Sequence, residues 1–162
     1  SLVPAGVNAT GKRPVSAGKP EPEIFRLATA RVGGTRPLGV GDRLNTDIAG
    51  ANASGIPSLH VLTGISGARE VIMATPEERP SYLGIDLLDL SEPQPPVTQE
   101  GDWFCCRSAR ATIADDGLVL ARDGGEFRLT DPATVTLDEY RALAVAGWSA
   151  TAVAVPELKV TR

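Results

Sequence analysis

LGVGDRLNTDIAGANASGIPSLHVLTG, residues 38–64, is the stretch on which the fold turns. The short apolar run through Val40 ends in Gly41-Asp42. TDIAGANASGIP then reads as a short helix, with Asn45 or Thr46 at its start and Gly55 and Pro57 beyond its end. SLHVLTG is a second, wholly apolar run, suited to a strand covered on both faces. Strand, loop, helix and strand at this spacing imply parallel pairing through a right-handed crossover. The stretch is therefore expected to be a piece of a doubly wound, Rossmann-like α/β sheet, whose ligands gather at the C-terminal ends of the strands.

Outward from it, KPEPEIFRLATARVGG (residues 19–34) predicts a helix. Prolines and acidic residues suit its first turn, Ile24, Phe25, Leu27, Ala28 and Val32 form an apolar face, and Gly33 or Gly34 ends it. Downstream, AREVIMA predicts a helix, Thr75-Pro76-Glu77-Glu78 has capping-box spacing, and SYLGIDLLDL supplies an edge strand. SEPQPPVTQE (residues 91–100) reads as a linker. Beyond it, Asp116-Gly117 and Asp123-Gly124-Gly125 separate partly alternating apolar runs, the pattern of hairpins in a small antiparallel sheet. Thr136-Leu137-Asp138-Glu139 then has capping-box form before a helix whose Tyr140, Leu143, Ala144 and Trp148 share one face. The expected organisation is a sheet piece over residues 1–90, the linker, and a small α+β extension over 101–162.

Composition narrows the function. A net charge of −4, with no run of Lys and Arg interleaved with aromatics, offers no field for a nucleic-acid backbone. No apolar stretch reaches the ~20 residues that span a bilayer, and the first residues have neither a charged nor an apolar leader region. The two cysteines, Cys105 and Cys106, are adjacent, a spacing that suits neither a disulfide nor a metal site and fits a cytoplasmic setting. They, Trp103, Trp148 and the lone histidine, His60, read as core side chains, His60 with its hydrogen bonds satisfied. Ser1 stands where an initiating methionine would, compatible with processing or truncation.

The chemistry sits after Val40. Asp42 and Asp47 flank a loop at a strand's C-terminal end, where Asp42 would point into the crevice. A hard cation such as Mg²⁺ takes a few carboxylate oxygens and several waters, so this loop supplies part of a site and not the whole. The alternative is that Asp42 caps a turn and Asp47 neutralises a helix N-terminus.

Gly18-Lys19-Pro20-Glu21-Pro22-Glu23-Ile24-Phe25 followed by LGVGDRLNTDIAGANASGIPSLHVLTG resembles the third and fourth motifs of haloacid dehalogenase-like phosphatases, in particular the class IIA, p-nitrophenylphosphatase-like group. The resemblance covers about residues 11–90. It implies a Mg²⁺-dependent hydrolase in which Asp42 ligates the metal and Asp47 supports it directly or from behind. It implies that Lys19 is both catalytic and substrate-binding, touching the phosphoryl oxygens and the nucleophilic carboxylate. The family's nucleophile lies in a DxDG(T/V)-type motif on an early strand, and no such motif occurs in these residues. Asp115-Asp116-Gly117 comes nearest but follows the fourth motif, in the wrong order. The second motif and the substrate-selecting cap are missing too.

The chain is accordingly expected to be a fragment, inactive alone, whose N-terminal half is truncated or supplied by another chain. The expected substrate is a small phosphorylated metabolite of the glycerol or sugar phosphate class, with no nucleic-acid or membrane partner; homo-oligomerisation is left open. Two other readings stand beside this one: a non-catalytic regulatory or interaction fragment that keeps the metal loop, and an acetyltransferase-like C-terminal region.

Overall fold

The computed structural model describes residues 18–162, so residues 1–17 of the expected sheet piece lie outside the description. The apolar runs pair as their covered character requires. Strands β1 (Gly39–Gly41), β2 (Ser58–Val61) and β3 (Tyr82–Gly84) form a parallel sheet in that order. Every residue of β2 is buried, as a central strand with both faces covered demands. Helix α1 (Pro22–Val32) precedes the sheet and ends on Gly33 in the left-handed conformation, φ 66°. One wide π-turn, Leu44–Ile48, leads into α2 (Ala49–Ala53) between β1 and β2, and α3 (Ala68–Ile72) lies between β2 and β3.

The helix after β1 begins earlier than its capping residues suggest. Arg43 holds the N-cap position with no side-chain cap, and the amides of Asp47 and Ile48 both donate to the Arg43 carbonyl. Asn45 and Thr46 therefore lie inside the first turn. Thr75 likewise makes no side-chain cap to the 3₁₀ turn Pro76–Glu78. The edge strand is only three residues long, and Leu87–Ser91 continues it as a 3₁₀ turn capped by the Asp86 carboxylate.

Residues 98–162 build a second layer. Strands β4 (Thr98–Glu100), β5 (Trp103–Cys106), β6 (Ala109–Ala114), β7 (Gly117–Arg122) and β8 (Gly125–Arg128) form an antiparallel meander. Residues 98–100, within the stretch that reads as linker, are thus its edge strand. The turns at 115–116 and 123–124 adopt positive φ at Asp115, Asp123 and Gly124, as two-residue hairpin connections need. Strand β9 (Ala133–Thr136) pairs in parallel with the C-terminal strand β10 (Leu158–Thr161), a contact between distant segments that no local pattern announces. Helix α4 (Leu137–Ser149) starts with the expected capping box between Thr136 and Glu139 and packs on β5 and β6.

The two layers share one interior. Leu44, Ile48, Val71, Ile72 and Leu83 from the first half and Cys106, Leu118, Leu120, Tyr140 and Leu143 from the second belong to a single buried apolar cluster. Polar contacts staple its margins. The buried Arg141 guanidinium donates to the Leu83 carbonyl and Gln94 and pairs with Asp138, Trp148 Nε1 donates to Val71 O at 2.8 Å, and Arg162 bonds the carboxylates of Asp86 and Asp89.

The far side of the sheet differs. Helix α1 buries none of its residues: Ile24, Leu27 and Val32 are exposed, together with Leu38 and Val40 beside the outer edge of β1, which pairs with no strand among the described residues. The expected apolar face of α1 exists but is covered only in part, chiefly where the Phe25 ring lies on Gly50 of α2 and beside Gly39 of β1.

Candidate active site

The fold brings Lys19, Asp42 and Asp47 to one end of β1. Asp42 follows the last residue of that strand, at its C-terminal end. The wide turn that follows swings Asp47 back over the strand, and Lys19, just ahead of α1, reaches it: Lys19 Nζ donates to Asp47 Oδ1 at 2.6 Å. The Asp47 side chain is buried while half of the Lys19 side chain stays open to solvent, so the ammonium faces outward with its carboxylate partner behind it. A third residue of the fourth-motif loop, Asn45, is spent locally by accepting a hydrogen bond from Arg43 Nε.

Two glycines make this geometry feasible. A Cβ on Gly41 would lie 2.2 Å from Asp47 Cβ, and one on Gly64 would lie 1.7 Å from Asp42 Oδ2. Any side chain at either position would drive a carboxylate out of place. The loop after β2 then grips Asp42 at two points. Ile65 N–H donates to Asp42 Oδ2 at 3.0 Å, and Ser66 N–H donates to the Asp42 carbonyl at 3.0 Å. Ser66 Oγ in turn accepts the Leu44 amide, closing a ring of hydrogen bonds around the turn. The part of residues 64–66 in holding Asp42 escaped the sequence reading, although the Gly64 that permits the approach ends the stretch quoted first.

The donor set suits a hard divalent cation. Two carboxylates stand at the strand end, and Asp42 Oδ1 has no hydrogen-bond donor among the described residues, so it is free to ligate. The set is also incomplete: among the described residues no group of three His, Cys, Asp or Glu side chains is placed to hold a metal ion. Asp42 and Asp47 therefore fit part of an octahedral Mg²⁺ shell and leave the remainder to waters and to groups from elsewhere.

The other candidates fall away on geometry. Cys106 is buried and its thiol is pushed up to about 11, by burial first and then by the Asp138 carboxylate, to which it donates. That is an inert thiol. Trp148 is anchored through its Nε1, and Trp103 lies under the Arg110 guanidinium at 5.0 Å. Asp115 and Asp116 pair with Arg128 on the meander, remote in sequence and element from Lys19. His60 is fully buried as expected, and its imidazole lies against the Asp42 backbone.

A model of the HAD-hydrolase-like family matches residues 16–90. The chain is 50% identical over 92 residues to the D-glycerol 3-phosphate phosphatase of Mycobacterium tuberculosis, a match covering 57% of this chain and 26% of that protein. It is 39% identical over 87 residues to the 4-nitrophenylphosphatase of Schizosaccharomyces pombe, covering 52% and 29%. A solved structure of the M. tuberculosis glycerol phosphate phosphatase in complex with magnesium superposes with a TM-score of 0.68 at 34% identity, over 99% of this chain and 44% of that one. A structure of that phosphatase with calcium superposes equally well. The chain thus spans about a quarter of the curated relatives' length and under half of the solved chain. The superposition takes in the meander and α4 as well as the parallel sheet.

Proposed function

Because residues 16–90 belong to the haloacid dehalogenase-like hydrolases, in their class IIA group, we propose that this chain is the metal-loop half of a Mg²⁺-dependent phosphatase. Its substrate is a small phosphomonoester of the glycerol or sugar phosphate class. The observation that carries the reading is the Lys19–Asp47 pair at 2.6 Å beside Asp42, at the C-terminal end of β1. Phosphoryl transfer is catalysed mainly by positioning and by neutralising charge on the transferring group, and both are what this cluster can do.

In this reading Asp42, gripped by Ile65 and Ser66, holds the metal, and Asp47 fixes the direction of the Lys19 ammonium. That ammonium then neutralises the phosphoryl oxygens and orients the attacking carboxylate. Bound Mg²⁺ supplies Lewis-acid charge at the phosphoryl group. The carboxylate that becomes the aspartyl-phosphate comes from the rest of the enzyme, whether from the same polypeptide or from another chain. The exposed face formed by α1, Leu38 and the outer edge of β1 is where that part docks. It is apolar, it borders the site, and the chain matches only 44% of the solved phosphatase. The unpaired thiols of Cys105 and Cys106 support a cytoplasmic setting for the enzyme. No helix among the described residues is long and apolar enough to cross a membrane.

The test is Mg²⁺-dependent hydrolysis of an aryl phosphate, with the 162-residue chain assayed alone and within the complete enzyme. The complete enzyme should turn over and the chain alone should not. In the complete enzyme, Asp42→Asn should cost at least ~100-fold in kcat, the scale of losing one preorganised charge-stabilising group. Unchanged turnover in that variant would instead support a non-catalytic role for the loop.

A further inference from the structure

Helix α3 stands between the metal loop and the C-terminal layer. On its N-terminal side it continues directly from residues 65–67, where the Ile65 and Ser66 amides hold Asp42 by its Oδ2 and its carbonyl, at 3.0 Å each. Its C-terminal end lies against α4. With only five residues, Ala68–Ile72, it is too short to be stable by its own hydrogen bonds and takes its position from what packs on it.

The contacts run without a break from α4 to Asp42. Trp148 Nε1 donates to the Val71 carbonyl at 2.8 Å, and the Val71 amide donates to the Gly67 carbonyl at 3.2 Å. The Gly67 amide in turn donates to Glu70 Oε2 at 2.9 Å, which closes the first turn of α3 onto the loop. Ser66 comes next, with its amide on the Asp42 carbonyl and its Oγ accepting the Leu44 amide at 3.2 Å. The indole at the start of this chain is itself fixed. The Arg79 guanidinium lies over its ring, 5.8 Å from the centroid, and donates through Nε to the Ala74 carbonyl at 3.2 Å.

Packing beside this chain is close. Gly147 of α4 faces Ile72 so tightly that a Cβ there would collide with Ile72 Cγ2 and lie 3.3 Å from the Ile72 carbonyl oxygen. Ile72 is fully buried and its Cγ2 branches from Cβ beside the backbone, so the methyl cannot swing clear. A side chain at position 147 must therefore push α3 away from α4. Packed side chains and hydrogen bonds pass such a shift along a short rigid element, and the next residues along are those that aim the Asp42 carboxylate.

We propose that Gly147 and Trp148 are positioning residues for the metal site: they seat α3, and α3 seats the loop that holds Asp42. The inference rests on the reading of Asp42 as a Mg²⁺ ligand. It gives the C-terminal layer a part in the site through its grip on α3 rather than through a ligand of its own.

The test uses the complete enzyme and two readouts. Trp148→Phe keeps an aromatic ring and removes the N–H donor, and Gly147→Ala adds the colliding methyl. In hydrogen exchange without Mg²⁺, the Ile65 and Ser66 amides of Trp148→Phe should exchange about fivefold faster, the ratio that one hydrogen bond of ordinary net strength supports. Thr136→Ala, which removes the cap at the far end of α4, should leave both amides at their original rate. Turnover then reads the metal. In both positioning variants the Mg²⁺ concentration for half-maximal rate should rise about fivefold, while kcat at saturating Mg²⁺ stays within about twofold. Unchanged exchange at residues 65 and 66 overturns the seating, and faster exchange with an unchanged Mg²⁺ requirement overturns the positioning role. Trp148→Phe decides alone should Gly147→Ala fail to fold. An unsubstituted enzyme without Mg²⁺-dependent turnover would sink the phosphatase reading instead, and the exchange ratio would still decide whether α4 seats the loop.

Discussion

Helices α1 and α4 are both amphipathic in sequence, yet the first buries none of its residues and the second buries seven. Helix α4 meets the meander on one side and α3 on the other, so its apolar stripe, Tyr140, Leu143 and Ala144, lies in the interior. Helix α1 leans on α2 through one phenyl ring and leaves Ile24, Leu27 and Val32 in water. The difference does not lie in the helices themselves, since an apolar face stabilises a helix only to the extent that something covers it. What α1 lacks, among the described residues, is a neighbour on the outer side of β1, the side of the proposed docking face.

The sharpest way to break this contrast is to supply that neighbour. Combining the chain with the remainder of its enzyme should bring α1 amides to α4-like protection in hydrogen exchange. It should also raise Mg²⁺-dependent phosphatase turnover by ~10⁴-fold or more, the scale on which an essential nucleophile matters. Protection of α1 without any turnover would retain the docking face and discard the phosphatase reading.

In the chain alone the contrast should appear in stability. Leu143→Ala, at a fully buried site, is expected to cost ~3 kcal/mol by denaturant unfolding, whereas Leu27→Ala, more than half exposed, should stay within ~0.5 kcal/mol. A comparable loss at both positions would mean that α1 is covered in solution. Capping should follow the same order on a smaller scale. Thr136→Ala removes the side-chain cap of α4 and should cost ~1 kcal/mol, while Glu21→Ala, at an N-cap position that makes no side-chain bond, should cost almost nothing.

The smallest effect concerns pH. Burial alone would push the Glu139 carboxyl up, but the two Arg122 N–H donors at 2.6 and 2.7 Å and the Thr136 amide outweigh it, and its folded-state value is lowered from 4.5. A lowered value means that the contribution is complete above the unfolded titration and fades as pH falls through the folded value. Glu139→Gln should therefore flatten the acid limb of the stability curve below pH ~4.5, while leaving its slope near neutrality unchanged.

Much of the site was legible because it is local. Lys19, Asp42 and Asp47 fall within thirty positions, and the order of strand, turn and helix between them suffices to bring them together. The grip of Ile65 and Ser66 on Asp42 was not legible, because backbone amides carry no residue signature and their aim depends on how the loop after β2 returns over β1. The surroundings of the His60 ring were hidden for a related reason. An apolar strand context predicts burial, but partners for a ring nitrogen come from other elements.

By itself the sequence determined the alternation of β1, β2 and β3 with helices, the hairpins at 115–116 and 123–124, the capping box of α4, and the acidic residues at the strand end on which the proposed Mg²⁺ site rests. These follow from periodicity, turn stereochemistry and capping, which act over a few residues. Only the tertiary structure decided that residues 98–162 share an interior with the sheet, that β10 returns to β9, that the helix after β1 opens on a wide turn, and that α1 keeps its apolar face exposed. Those outcomes depend on which surfaces meet across long stretches of chain, and burial energy is settled between elements that no local pattern places side by side.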